Sequence, residues 1–176
     1  MRYAEAGVVL SAALIAGCAA QQPPAAAAPK LDQAAATAVV TAQVNQIIGI
    51  LTKKDADAIP AAFTDDAVWI LPDASTFKGK DNIKAGATAF FASFDSVTAM
   101  TQNVDKVIVV SDSEIVSFAT GKYTIYLKGK KNGEAHINPY SDYWKKGSDG
   151  TWRIAYEINA EGPANPPPPA PSAKKS

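Results

Sequence analysis

Val40, Val44, Ile47 and Leu51 recur at i, i+4, i+7 and i+11, with Ile48 beside them, and this spacing lays one apolar stripe along a helix. Gln43, Asn45 and Gln46 fall mostly off the stripe. Lys53 and Lys54 sit in its last turn, where cations suit the helix dipole. A short second helix follows, capped by Asp55 or Asp57 and carrying Ile59, Ala62 and Phe63, with Pro60 in the first turn where a missing N–H costs little. Thr64-Asp65-Asp66 ends it, and the β-branched and aromatic run 67–71 reads as a strand closed by Pro72-Asp73. A turn and short strand span 73–79. Ile83, Ala87, Phe90 and Phe94 then give a third helix from near Asp81, in which Gly86 costs ~1 kcal/mol relative to alanine.

Beyond Phe94 the period changes. Residues 98–110, 113–127, 135–146 and 151–160 read as four long strands. Ser111-Asp112, Lys130-Lys131-Asn132-Gly133 and Ser148-Asp149-Gly150 supply the turns between them. Such short connections make neighbours antiparallel. Helices first and a meander after them predict an α+β domain with helices on one face of the sheet.

Both ends of the chain fall outside this pattern. Arg2 precedes an apolar stretch of 11 residues, Ala6 to Ala16, too short for a bilayer span of ~20 residues but right for the core of a signal peptide. Residues 18–30 form an Ala/Pro-rich tether and residues 162–176 a Pro-rich tail, which four consecutive prolines bias to polyproline II. Nine of the 12 prolines lie outside 31–160. The expected organisation is a signal peptide at 1–17, the tether at 18–30, one domain at 31–161 and a disordered tail at 162–176.

Charge and composition narrow the function classes. The chain carries 17 basic and 17 acidic residues, and segment 31–160 holds 13 and 15, so no long-range positive field exists to hold nucleic acid. One cysteine excludes an intrachain disulfide and a cysteine-based zinc site, and one histidine argues against a His-rich metal site. No Gly-rich phosphate loop, paired-His motif or nucleophile elbow occurs, so no metal and no cofactor is expected.

Two resemblances sharpen the reading. Ile15-Ala16-Gly17-Cys18 resembles the bacterial lipobox, which implies cleavage before Cys18 and a lipid on its thiol. Glu5 departs from the usual n-region, and Ala19 is not the aspartate that often retains such proteins at the inner membrane. The implied location is the cell envelope, on the periplasmic side, lipid-anchored, with the outer membrane favoured if the cell has one. Within the domain, Lys54-Asp55-Ala56 with Ala61-Ala62-Phe63-Thr64-Asp65-Asp66-Ala67-Val68, then Phe77-Lys78-Gly79-Lys80-Asp81-Asn82-Ile83, then Tyr143-Trp144-Lys145-Lys146 and Asp149-Gly150-Thr151-Trp152-Arg153-Ile154 follow one another in an order similar to the nuclear transport factor two-like superfamily. That superfamily includes ketosteroid isomerase and the polyketide cyclase SnoaL, and the likeness is greatest to the SnoaL-like subgroup. It implies a cone: three N-terminal helices packed on a strongly curved, mostly antiparallel sheet, with a pocket at one end and frequent homodimers through the sheet's outer face. It does not imply one activity.

Glu157 stands where the subgroup carries an acid, so the resemblance makes it the candidate general acid or base. Facing the cone it would have a raised pKa; facing solvent it would be a surface charge near Arg153. By strict alternation Trp152, Ile154, Tyr156 and Ile158 share one face and Arg153, Ala155, Glu157 and Asn159 the other. Trp69, Phe91, Tyr123, Tyr143 and Asn159 are the candidate ligand contacts, the tyrosines because a buried hydroxyl needs a partner. Phe90 and Trp144 are further aromatics that either line the pocket or fill core. Asp65, Asp66 and Asp73 read as boundary and turn residues. His136 would need a partner such as Asp142, ~20 Å along an extended strand, and reads as a surface histidine. Lys122, Lys128, Lys130 and Lys131 read as a solvated turn. The first helix lacks the tyrosine that serves the isomerase's oxyanion, which counts against isomerase activity. Three functions stay open: a membrane-tethered module binding a small apolar or amphipathic ligand or a partner; a cofactor-free isomerase, dehydratase or cyclase using Glu157; and a dimer without a ligand.

Overall fold

The computed structural model describes residues 30–160 and 162–163. The lipobox with Cys18, the tether up to residue 29, and the tail from residue 164 lie outside the described residues. Helix α1 spans Gln33–Lys53 and helix α2 Lys80–Ala92. The strands are β1 (Phe63–Ile70), β2 (Thr76–Lys78), β3 (Phe94–Ser111), β4 (Glu114–Leu127), β5 (Glu134–Lys146), β6 (Trp152–Asn159) and β7 (Gly162–Pro163). They form one sheet in the order β2-β1-β6-β5-β4-β3, with β7 added to β5. Every pairing is antiparallel except β1 with β6. This is the expected α+β class.

Helix α1 begins where the Asp32 carboxylate accepts the Ala35 N–H at 2.7 Å. It ends at Lys54, which adopts the left-handed conformation (φ 56°) while the Asp55 N–H reaches back to the Ile50 carbonyl. By length and composition α1 could cross a bilayer; here its Ala36, Val40 and Val44 stripe is buried in the domain core, and the helix packs on β3. The Lys54 ammonium donates to the Phe94 carbonyl at 2.6 Å, tying the end of α1 to the start of β3.

Three expectations are corrected. The second helix is a 3-10 turn, Ile59–Ala62, so the sheet carries two α-helices and not three. Asp55 does accept the Ala58 N–H ahead of it, but the segment is only four residues long and β1 takes over at Phe63. Thr64, Asp65 and Asp66 therefore belong to β1, with Asp65 paired to Lys80 at 2.7 Å. Phe94 opens β3 and is not helical. The Ser93 hydroxyl caps the Phe90 carbonyl at 2.6 Å and stops α2, yet Phe94 still meets Phe90 edge-on at 5.1 Å, so the i+4 contact survives the change of backbone. Finally, the tail does not start at residue 162: Gly162 and Pro163 pair with Ile137 and His136.

Sheet curvature originates in β3. Its pairing with β4 shifts register four times, and at the second shift Ala99 takes φ 52°. Each bulge bends and twists the strand. The long hairpin thus curls over α1, leaving Val107, Ile115, Ile125, Trp144 and Ile154 on the inner wall with Val40 and Ile83 of the helices.

Candidate functional site

Inside the curl lies a cavity of about 290 Å³. One side is apolar, made by Val44, Ile47 and Leu51 of α1 with Phe90 and Phe91 of α2 and Met100 of β3. The other carries polar groups from the sheet: Gln102, Asn138, Tyr140, Asp142, Glu157 and Asn159.

Glu157 reaches this cavity because β6 is irregular. Tyr143 pairs with Tyr156 but Trp144 pairs with Ile154, so Ala155 is an extra residue. The bulge reverses the alternation: Trp152 and Ile154 are buried, Tyr156 and Ile158 are exposed, and Glu157 and Asn159 turn inward. Strict alternation would have put Glu157 on the face opposite the buried Ile154.

A ladder of hydrogen bonds fixes Glu157. Its Oε1 accepts the Trp69 indole N–H at 2.9 Å and the Asn159 amide at 2.6 Å. Asn159 Nδ2 also lies 3.3 Å from the Ile70 carbonyl, and its Oδ1 accepts from Asn138 Nδ2 at 3.1 Å. Asp142 stands across from Glu157 in the β5–β6 register and is 2% exposed. Its Oδ2 accepts from the Ser117 hydroxyl at 3.3 Å, and Ser117 in turn accepts the Trp144 indole N–H at 2.8 Å. Asp142 Oδ1 is buried with no hydrogen-bond partner among the described residues. Tyr140 donates to Gln102 Oε1.

Burial pushes the Asp142 carboxyl well above the usual carboxylate range, the neighbouring Glu157 charge adds to this, and the Ser117 hydrogen bond opposes it weakly. Burial raises Glu157 too, against the Asn159 and Trp69 hydrogen bonds. Burial and then the charges of Asp142, Glu157 and Asp105 keep Tyr140 a neutral phenol. Two like acids in one low-dielectric site resist ionising together.

Trp69, Phe91, Tyr123, Asn159 and Glu157 all line the cavity, as do Phe90 and Asp73. Asp73 accepts the Ser75 N–H at 2.9 Å, which holds its pKa below the usual value. Tyr143 is a correction. Its neighbour Trp144 is fully buried, alternation sends Tyr143 to the outer face, and its hydroxyl donates to Glu114 at 2.5 Å. Trp144 is core. His136 is half-buried and not at the surface, stacked on Tyr123 with ring centroids 5.4 Å apart. Lys122, Lys128, Lys130 and Lys131 are exposed around the β4–β5 connection. Asn138, Tyr140, Asp142 and Gln102 are site residues that the candidate list lacks. Trp144 was the available signal: counting back from it by twos along β5 gives Asp142, Tyr140 and Asn138 on the inward face. Among the described residues, no three His, Cys, Asp or Glu side chains gather in a way that could hold a metal ion.

The SnoaL-like domain family matches residues 44–156, most of the chain and nearly all of the cone. The chain belongs to that family. Its fold is shared by solved structures of low identity. A ketosteroid isomerase-like protein from Erwinia carotovora atroseptica is 20% identical with a TM-score of 0.64, over 73% of this chain and 96% of that one. A candidate scytalone dehydratase from Novosphingobium aromaticivorans is 13% identical with a TM-score of 0.65, over 72% and 83%. A nuclear transport factor two-like superfamily protein from Salmonella enterica serovar Typhimurium is 17% identical with a TM-score of 0.64, over 78% and 98%. No curated protein sequence matches the chain. The SnoaL-like membership and these neighbours agree with the cone inferred from the order of motifs.

Proposed function

We propose that this SnoaL-like domain binds one small, largely apolar molecule inside its cone, while a lipid on Cys18 tethers it in the cell envelope. The observation that carries the binding reading is the cavity: about 290 Å³, walled by α1, α2 and Met100 on one side and by polar groups of the sheet on the other. Side chains that filled the cone would instead have favoured a dimer without a ligand. The tether rests on the lipobox and on the Ala- and Pro-rich sequence after it. A second copy is the proposed occupant of the sheet's outer face, where Ile108, Phe118, Tyr156 and Ile158 are exposed on strands β3, β4 and β6.

Calorimetric titration with 1-adamantanol, a compact neutral apolar probe, tests the cavity. One-to-one binding is expected, and Gly121→Val should weaken it at least tenfold. Gly121 lines the cavity, and a Cβ there meets only ordinary contacts, 3.5 Å or more, so a side chain can be added at this position to take up cavity space. Equal binding to the filled variant would sink the reading. For the tether, Cys18→Ser should move the protein from the membrane fraction to the soluble one.

The facing acids Asp142 and Glu157 favour one further reading, cofactor-free proton transfer with Glu157 as general acid or base. Exchange of the α-protons of cyclohexanone in D2O, followed by NMR, should then be accelerated by the wild type and not by Glu157→Gln. Equal exchange rates would leave binding as the function.

A further inference from the structure

The polar wall of the cavity is one-sided in its chemistry. Asp73, Asp142 and Glu157 are acids, and among the described residues no Lys, Arg or His lines the cavity. The hydrogen-bond ladder fixes which polar atoms remain to be matched. Asn159 Nδ2 must face the Ile70 carbonyl and Glu157 Oε1, since both are acceptors. Asn159 Oδ1 therefore accepts, Asn138 presents Nδ2 to it, and Asn138 Oδ1 is left over. Ser117 already accepts the Trp144 N–H, so its own proton goes to Asp142 Oδ2. Asp142 Oδ1 is left over in a side chain that is 2% exposed. Both leftover atoms, Asn138 Oδ1 and Asp142 Oδ1, are buried without a partner among the described residues. The Tyr140 phenol already donates to Gln102.

Buried acceptors without donors cost free energy, and buried acids without a counter-charge cost more. A ligand that restores both must bring N–H donors and a positive charge. An anionic head group would face three acids and no base. A neutral hydroxyl could give one hydrogen bond but no charge. The apolar wall of Val44, Ile47, Leu51 and Phe91 takes the remainder of the molecule.

We infer that the ligand of this cavity is an amphipathic organic cation, an apolar body bearing a protonated amine that docks on Asp142 with Glu157 beside it. This rests on the binding reading above and specifies its chemical class. The ammonium's charge offsets the burial and the Glu157 charge that favour a proton on Asp142, so Asp142 meets it ionised and Oδ1 accepts a charge-assisted hydrogen bond, roughly twice as strong as a neutral one. Indole and amide donors already hold Glu157 Oε1, so Glu157 acts mainly as a nearby charge.

The test is a set of three probes of one shape and three charges. 1-Adamantylamine, 1-adamantanol and 1-adamantanecarboxylate are titrated calorimetrically into the full chain at pH 7. The amine is expected to bind at least tenfold tighter than the alcohol, and the carboxylate weakest. Asp142→Asn should bring the amine to within about threefold of the alcohol, since one carboxylate charge is removed at nearly constant shape. Should that variant fail to fold by circular dichroism, the order of the three probes on the native chain decides alone. If alcohol and amine bind equally, or the carboxylate binds tightest, the cation inference is overturned and the cavity stands. If none of the three binds, both fail.

Discussion

Asp142 and Glu157 face each other across β5 and β6, and both line the same cavity, whose walls hold no basic side chain among the described residues. The folded protein holds a proton on Asp142 more tightly than the unfolded chain does, because burial and then the Glu157 charge raise its pKa. Its contribution to stability is therefore full below the unfolded value, near pH 4, and is lost as pH rises through the raised folded value. Asp149, Asp65 and Asp73, whose pKa values are lowered, act in the opposite sense, so the wild type must be compared with a variant. Asp142→Asn should be neutral near pH 4 and stabilising by about 1 kcal/mol at pH 8, the usual scale when a strained site is relieved. Urea denaturation at both pH values checks this; a variant destabilised equally at both would contradict it.

Trp69 and Glu157 are register partners across the parallel β1–β6 pair, and the indole donates to the carboxylate. Trp69→Phe keeps an aromatic ring but removes the donor that opposes the burial shift of Glu157. The Glu157 titration midpoint should rise, and the fold should lose about 1.5–3 kcal/mol for a hydrogen bond to a charged group. Carbon-13 carboxyl shifts followed against pH measure the midpoint; an unchanged or lowered midpoint would show that the indole does not hold the charge.

Gly86 sits inside α2, where alanine normally gains ~1 kcal/mol. Here a Cβ would stand 2.8 Å from the Phe77 ring, which packs on Trp69 at 5.9 Å between centroids. Overpacking costs about 1–3 kcal/mol and should win. Gly86→Ala is predicted to destabilise by about 1 kcal/mol in thermal unfolding; a stabilised variant would mean Phe77 yields freely.

On the outer face Phe118 is 43% exposed and Ile158 44%, in the row that runs through Ser141. If a second copy covers them, Phe118→Lys should shift the chain to monomers in sedimentation equilibrium at concentrations where the wild type is dimeric. A wild type that is monomeric throughout would remove the dimer.

The cone was legible wherever local pattern and tertiary role agree. The Val40–Val44–Ile47–Leu51 stripe, the four long strands and their turns all follow from periodicity and turn chemistry. The failures have physical causes. Phe94 fits a helical repeat because its ring keeps the i+4 contact from a strand backbone. The inward turn of Glu157 depends on one extra residue, Ala155, and a bulge breaks the face parity on which alternation relies. Tyr143 was misplaced for the opposite reason: β5 alternates regularly there, and adjacent Tyr143 and Trp144 cannot share a face. Asp142 faces inward because it shares a strand face with the buried Trp144, and alternation alone does not say which face of β5 is the inner one.

The most direct test of ligand binding in the cone is an intermolecular NOE measurement during titration with 1-adamantanol. Binding in the cone predicts contacts from the adamantyl protons to the Met100 methyl and to Ile125, both of which line the cavity, and their loss in Gly121→Val. Contacts confined to Phe118 and Ile158 on the outer face, or none at saturating probe, would contradict it.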